Sequence, residues 1–474
     1  MTEQRFSERL QAIGRISSPS PPQSRATSFV SFGDTKFLLQ QFRSYLDDPS
    51  ATFRGHQLDV LKVALKREKN LIYIAPTGSG KSLLYNFVSY VEKRKCTIVI
   101  SPLIALKVDM FRTSSLAGLD VCIWEPTFNA PLPDVLIVQF EHALHDSFIH
   151  FAMNRASDGV ISRVVFDEAH VYVTDDSYRE AMRRIGVLRG IPAPFVLLTA
   201  TLTIDRESLL QNLFNISPEA THVHRERTMR NDLHFAVRQY TRSGNTVVFL
   251  KALYSRATSL RQGEKIMCFC KTRREVEDLE NEMKIELTNE SESSVSLYAF
   301  HANTIRRESV QQAWAEDERK AILFCTHCAS CGINVATVRD VIFWGVPDSI
   351  EHYLQAAGRA GRDGNGGTVT MFADQSDMID DIELKRWTMR SECRRTYLSV
   401  QIDATSSNCG EIPTGTPCDV CLPTFLRPLK HPTFPEITSS ETQAGMFFEY
   451  DLSLSSIYIF IHSQKTKLFF FFCD

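Results

Sequence analysis

The chain has 474 residues, 43% hydrophobic and 23% charged, enough to bury two or three cores, so several domains are to be sought. A formal net charge of -3 excludes an overall basic footprint, and any contact with nucleic acid must come from local patches. No run approaches the roughly 18 apolar residues of a membrane span, and MTEQRFSERL lacks the apolar segment of a signal peptide; a soluble intracellular protein is expected. In that compartment thiols stay reduced, so the 12 cysteines are read as core residues or metal ligands.

Residues 1–45 contain SSPSPPQSRATS, too poor in apolar groups to offset its ordering entropy, and are expected to form a disordered leader. From LIYIA at 71–75 onward, the apolar runs TIVISP (97–102), DVLIVQ (134–139), RVVFDE (163–168) and FVLLTA (195–200) alternate with helical stretches. That rhythm predicts an α/β lobe with a parallel sheet, assigned to 46–228. The pattern resumes with EKIMCFCK (264–271), VSLYAFHA (295–302), KAILFCT (320–326) and VRDVIFWG (338–345), predicting a second α/β lobe over 229–380. The last fifty residues fit neither periodicity, and 426–474 reads as an irregular tail.

Between strand LIYIA and the helical LLYNFVSYVEK lies APTGSGKS at 75–82, the setting of a phosphate-binding loop. Thr77, Gly78, Ser79, Gly80, Lys81 and Ser82 form its working part. The two glycines let backbone amides face phosphates, and the following helix N-terminus adds a favourable dipole. Lys81 is expected to reach the β and γ phosphates of ATP, and Ser82 to hold Mg²⁺.

VVFDEAH at 164–170 delivers Asp167 and Glu168 to the carboxyl end of a strand, where ligands of open α/β sheets bind. By itself an acidic pair there reads equally as a solvated turn. Paired with the phosphate loop, Asp167 is expected to hold Mg²⁺ and Glu168 to orient or deprotonate the attacking water. In QAAGRAGRDG (355–364), Arg359 and Arg362 stand three apart, on one face if helical. They fit arginine fingers on a γ phosphate, and equally a solvated helix end.

Cys393, Cys409, Cys418 and Cys421 follow the helical stretch IELKRWTMRSECRRTYL, and the last two make a C-x2-C. The spacing fits either four thiolates around Zn²⁺ or unrelated buried thiols. Cys325, Cys328 and Cys331 are read as core or loop thiols.

Taken in order, these motifs resemble the RecQ family of superfamily 2 DNA helicases over residues 45–425. FRGHQ (53–57) is similar to the family's motif 0, which implies that Gln57 reads the adenine edge and Arg54 packs on the base; Ser50 stands where an aromatic residue is usual. SPLIALKVDM (101–110) resembles motif Ia, TAT (199–201) motif III, and CFCKTRREVEDL motif IV. FHANTIRRESVQQAW resembles the family segment built on a His-Ala pair, here His301 and Ala302. Motifs V and VI run through 325–364, with Ser330 for an expected Gly and Asn334 for an expected Asp. The family's aromatic-rich loop after DEAH carries a Trp; here VYVTDDSYRE stands instead. Tyr178 and Arg179 resemble its closing pair, and Tyr172 offers a face on which any base can stack. SECRRTYL and CDVC are similar to the opening and closing of the family's zinc-binding subdomain, assigned to 381–425.

The resemblance implies two RecA-like lobes with parallel sheets, followed by a small helical zinc-binding subdomain. It implies an ATP-dependent DNA helicase with 3′→5′ polarity, ATP, Mg²⁺ and Zn²⁺ as ligands, single-stranded and partly duplex DNA as partners, and a nuclear location. The alternative is a degenerate relative that grips nucleotide and DNA with weak or no unwinding, in line with Ser50, Ser330, Asn334 and the missing Trp.

Overall fold

Each apolar run singled out in the sequence forms a strand, because each is covered on both faces. A computed structural model of the chain describes residues 34–424 apart from 103, 129, 175–183, 242–244, 288–294, 331–332, 334, 375 and 413–414, together with the backbone of 447–450 and 457–460. Strands β1 (Asn70–Ile74), β2 (Cys96–Ser101), β3 (Val121–Ile123), β4 (Val135–Gln139), β5 (Ile161–Phe166), β6 (Phe195–Thr199) and β7 (Thr221–Arg225) build a seven-stranded sheet. Its order is β3-β4-β2-β5-β6-β1-β7, and every pair is parallel. Alternate residues serve opposite cores: Ile72, Ile98, Leu136, Val164 and Leu197 face one, while Leu71, Val99, Ile137, Val165 and Val196 face the other. A parallel sheet buried on both sides needs such unbroken apolar runs.

The second lobe repeats the plan. Strands β8 (Leu233–Gln239), β9 (Lys265–Cys270), β10 (Val295–Phe300), β11 (Lys320–Cys325), β12 (Val338–Trp344) and β13 (Gly367–Ala373) run parallel in the order β10-β11-β9-β12-β13-β8. Buried ion pairs set its loops. Arg256 meets Asp340 at 2.9 Å, and Arg339 meets both Glu264, at 2.8 Å, and Asp363.

The cysteine-bearing region is built onto β8, which lies at the sheet edge. Asp419 N donates to Phe235 O (2.9 Å), Val237 N donates to the Asp419 carboxylate (2.9 Å), and Thr416 N donates to Asn231 O (2.8 Å). These bonds cover an edge that would otherwise present open backbone groups. The stretch expected to be helical through 382–398 is two helices, Ile382–Thr388 and Arg394–Asp403. Reciprocal bonds between Trp387 and Arg394 fold one onto the other: the Trp387 indole donates to Arg394 O (3.3 Å) and the Arg394 guanidinium to Trp387 O (2.8 Å). The expected irregular tail also departs from the reading, since Phe447–Tyr450 and Ile457–Phe460 pair as antiparallel strands. FFEY and IYIF are rich in the aromatic and β-branched residues that strands favour.

Arg395 joins these pieces. Fully buried, it donates to the carbonyls of Arg230 (2.5 Å), Leu233 (2.8 Å) and Thr416 (3.0 Å). Arg395→Leu strands those carbonyls and is expected to lower stability by about 3 kcal/mol. Urea unfolding followed through tryptophan fluorescence checks it; a midpoint matching the wild type would show that the tie carries no weight.

Candidate functional site

The phosphate loop leaves the carboxyl end of β1 and turns through Gly78 (φ 81°) and Gly80 (φ 84°), left-handed conformations that suit glycine. A Cβ on Gly80 would lie 2.8 Å from Gln57 Nε2. Gln57 reaches the loop from the helix Gln57–Lys66: its Nε2 donates to Ser79 O (2.7 Å), and its Oε1 accepts from Arg54 N (2.8 Å). Arg54 is exposed and Gln57 half-buried. Ser50 is held by Asp48, whose carboxylate accepts from its N (2.8 Å) and its hydroxyl (2.7 Å).

The Lys81 ammonium folds back over the loop, donating to Ala75 O (2.9 Å) and Pro76 O (3.1 Å). Burial lowers its pKa, and the carboxylates of Glu168 and Asp167 oppose that shift. The helix expected to start at the loop begins instead as a 3-10 turn, Lys81–Leu84, which includes Ser82. Leu83 N bonds to Gly80 O (2.9 Å) and Tyr85 N to Ser82 O (3.2 Å), and the helix proper is Asn86–Val91. Bonds to the third residue back tighten the turn just where Gly80 redirects the chain.

Asp167 and Glu168 follow β5 directly. Glu168 has φ 48°, a left-handed conformation unusual for a residue with a side chain, the kind of backbone strain that gathers at functional sites. Its N–H donates to the Asp167 carboxylate (3.0 Å). Burial, and then the Glu168 charge, push the Asp167 carboxyl up to about 7. His170, buried, places Nδ1 3.0 Å from Thr199 Oγ1 and 3.4 Å from Glu168 Oε2; burial lowers its pKa.

The second lobe meets these groups through the helix Ile350–Ala357, whose N-terminus is capped by the Ser349 hydroxyl. Gln355 Nε2 lies 3.4 Å from His170 Nε2, and a Cβ on Gly358 would lie 3.8 Å from Thr77 Oγ1. Arg359 and Arg362 are not on a helix, so the shared helical face does not arise. The helix ends at Ala357, and the two arginines stand in the turns that follow, where Gly361 has φ 58° and a Cβ would press 2.4 Å from Gly366 O. Both still line one cleft of about 260 Å³, together with Thr77, Gly78, Lys81 and Glu168. Burial, and then the neighbouring Arg359, lower the Arg362 pKa to about 9, with Glu168 opposing.

Cys393, Cys409, Cys418 and Cys421 come together with all four sulfurs within 4.8 Å of one another. Cys393 Sγ lies 3.6 Å from Cys409 Sγ and 4.0 Å from Cys418 Sγ. Thiolates sharing a tetrahedral ion at 2.3 Å stand about 3.8 Å apart. Backbone N–H groups of Arg394 (3.4 Å) and Cys418 (3.3 Å) point at Cys418 Sγ and Cys409 Sγ, as suits charged sulfur. The donor set therefore fits a metal ion of zinc's size and preference.

The family model described as DEAD/DEAH box helicase matches residues 54–209, and that described as Helicase conserved C-terminal domain matches 246–364, together more than half of the chain. The ATP-dependent DNA helicase Q5 of Rattus norvegicus is 30% identical over 347 residues, 68% of this chain. The ATP-dependent DNA helicase RecQ of Pasteurella multocida is 28% identical over 345 residues, 69% of this chain. The chain belongs to the RecQ family of helicases. It spans 34% of the length of the rat protein and 51% of the Pasteurella protein. In fold it is similar to the Mycobacterium smegmatis helicase Lhr bound to ssDNA and AMP-PNP, with a TM-score of 0.53 at 20% identity over 70% of this chain and 47% of that one. Two lobes with parallel sheets are thus the RecA-like pair that the resemblance implied. Among the described residues no helix is long and apolar enough to cross a membrane.

One position in the loop after DEAH sits differently from expectation. Tyr172 does not offer a stacking face: it is fully buried, its ring packed against Phe140, Phe166 and Phe214. Tyr178, Arg179, Asn334 and Cys331 lie outside the described residues. Cys325 is buried and Cys328 half-buried in the second lobe, as core and loop thiols. Ser330, buried, places its hydroxyl 3.1 Å from both Gln355 Oε1 and His327 Nε2. The contact between His170 and Gln355 went unread in the sequence although both residues belong to quoted motifs; two polar residues flanked by small or apolar neighbours were its one signal.

Gly80→Ala brings a methyl against Gln57 and strains φ, so it is expected to weaken nucleotide binding at least about tenfold. Titration with a fluorescent ATP analogue checks it, and an unchanged affinity would remove Gly80 and Gln57 from the site.

Proposed function

We propose that this chain is an ATP-dependent DNA helicase that translocates 3′→5′ on single-stranded DNA and unwinds partly duplex DNA, acting in the nucleus. The convergence of Lys81, Glu168, Arg359 and Arg362 on one cleft between two parallel sheets carries the reading. Lys81 contacts the β and γ phosphates, and backbone amides of the loop from Thr77 to Ser82 cradle them. Gln57, steadied by Ser79 and backed by Arg54, reads the adenine edge. Asp167 and the Ser82 hydroxyl are the residues that would hold Mg²⁺, which supplies charge neutralisation on the phosphates. Glu168 takes a proton from the attacking water as the bond between the γ phosphorus and its bridging oxygen breaks and ADP leaves. Arg359 and Arg362 neutralise charge on the transferred group, so hydrolysis requires both lobes in contact.

We assign lobe 1 to 46–228, lobe 2 to 229–380 and the zinc-binding subdomain to 381–425. Cys393, Cys409, Cys418 and Cys421 would hold Zn²⁺ as a closed structural set, fastening the subdomain along β8. A second reading, a nucleotide- and DNA-binding module with weak or no unwinding, is favoured by one observation: buried Tyr172 supplies no DNA-sensing ring in place of the missing Trp.

Glu168→Gln is expected to lower ATP turnover at least about 100-fold while retaining ATP binding, and Lys81→Ala to abolish turnover. Steady-state hydrolysis with and without single-stranded DNA is the measurement. Wild-type-like rates in either variant would sink the assignment, and hydrolysis indifferent to DNA would favour the binding module.

Elemental analysis is expected to find one zinc per chain, lost in Cys418→Ser. A folded, active preparation free of zinc would make these cysteines ordinary buried thiols.

A further inference from the structure

The helix Ile350–Ala357 touches lobe 1 along a single stripe. Glu351, Gln355 and Gly358 stand at i, i+4 and i+7, one face of a helix. Gln355 Nε2 lies 3.4 Å from His170 Nε2, and Gly358 comes near enough to Thr77 that a Cβ on it would lie 3.8 Å from Thr77 Oγ1. The first position of the stripe carries the strongest contact. Glu351 is buried to 1% exposure, and its Oε1 accepts from Arg206 Nε at 2.7 Å and from the Thr203 hydroxyl at 3.0 Å. Both partners belong to the lobe 1 segment after β6.

Arg206 also faces the other way. Its NH1 donates to Val173 O at 2.8 Å, in the short helix Val171–Thr174 that continues the chain from Asp167–His170. Val173 N and the Thr174 hydroxyl in turn bond to His170 O, at 2.9 and 3.0 Å. One guanidinium thus joins the backbone behind the acidic pair, the segment after β6, and the lobe 2 helix whose far end leads into Arg359 and Arg362.

We infer that Arg206 is a positioning residue, whose bridge to Glu351 sets the register of the Ile350–Ala357 helix on lobe 1 and so fixes where Arg359 and Arg362 stand against the phosphate loop. The inference rests on the proposed hydrolysis. A rigid helix carries a displacement at Glu351 to Gly358, about 10 Å along its axis, with little loss. Burial pushes the Glu351 carboxyl up, and Arg206 is the cation that opposes it. Without that cation a buried carboxylate disfavours the closed approach of the lobes. Arg206 is itself 29% exposed in its side chain, so its removal leaves no large cavity. The effect is one of placement more than of packing.

Arg206→Ala and Glu351→Gln test it in the full chain, with Arg206→Lys and the exchange Arg206→Glu/Glu351→Arg as rescues. With saturating single-stranded DNA, both single variants are expected to lower kcat at least about fivefold and to leave the KM for ATP within about twofold. Arg206→Lys or the exchange should recover much of the loss. A merely structural role would lower Tm while kcat stays at the wild-type value, and that result overturns the inference. Small-angle scattering with a non-hydrolysable ATP analogue reads lobe closure without turnover: the wild type should be more compact than Arg206→Ala. Should the wild type not hydrolyse ATP, the proposed function fails, and the scattering still decides the bridge, since equal compactness refutes it.

Discussion

Every strand in both sheets runs the same way, and the chemistry depends on that. Parallel order gathers the carboxyl ends of β1, β5 and β6 on one edge of the first sheet, where the loops that follow them must meet. The phosphate loop, the acidic pair and the Thr199–Thr201 segment are therefore neighbours although about 120 residues separate the first from the last. The same order costs each strand its solvent-facing side, so polar residues are forced out to strand ends. The few that remain inside are paired: Arg163, fully buried on β5, meets Glu92 at 2.7 Å and Ala64 O at 3.2 Å.

The polar groups that enter the cleft are held in place by a second set of polar groups, most of them outside it, although Arg230 lines the cleft as well. Glu168 is held in a left-handed backbone beside His170, whose ring is fixed by Thr199 on the next strand. The turn carrying Arg359 and Arg362 is gripped by two further arginines, Arg339 outside the cleft and Arg230 on its wall. Arg339 binds Asp363 and Gly366 O (2.9 Å), while Arg230 donates to Ala360 O and to Gly361 O (2.6 Å). Such fully satisfied networks cost desolvation but leave a loop few alternatives. Conformational freedom is thereby removed from the turn, the preorganisation that the proposed role of Arg359 and Arg362 would need.

The strands were legible because burial on both faces writes itself as a continuous apolar run. The two edge strands of the first sheet were not. VCI at β3 is short and only half-buried, and THVHR at β7 is mostly half-buried with a single aliphatic residue, so neither shows the run that marks a central strand. The C-x2-C pair, two possible ligands in one turn, marked Cys418 and Cys421 locally but left metal ligands and buried thiols both open, and it took the fold to bring Cys393 and Cys409 to them. Tyr172 was misread since its burial depends on Phe140 and Phe214, distant in sequence, closing over it. Of the two readings left open for Arg359 and Arg362, one face of a helix or a helix end, the second holds for the backbone, because the chain leaves the helix at Ala357 and turns at Gly361.

The segment between the lobes shows what joins them mechanically. Thr228 N (2.7 Å), its hydroxyl (2.8 Å) and Met229 N (3.0 Å) all donate to the carboxylate of Asp403, at the end of the helix Arg394–Asp403. Just upstream, Arg225 donates to Leu202 O and Ile402 O, each at 2.7 Å, and Ile204 N donates to Gln401 O (3.0 Å). The helix that follows the first cysteine therefore braces the inter-lobe segment and touches lobe 1 directly. A cysteine cluster that fixes the start of that helix through Cys393 acts on more than its own subdomain. Through Asp403 that helix ties the metal-fitting region to the segment that joins the two parallel sheets, so the cysteine cluster and the cleft share one continuous set of hydrogen bonds.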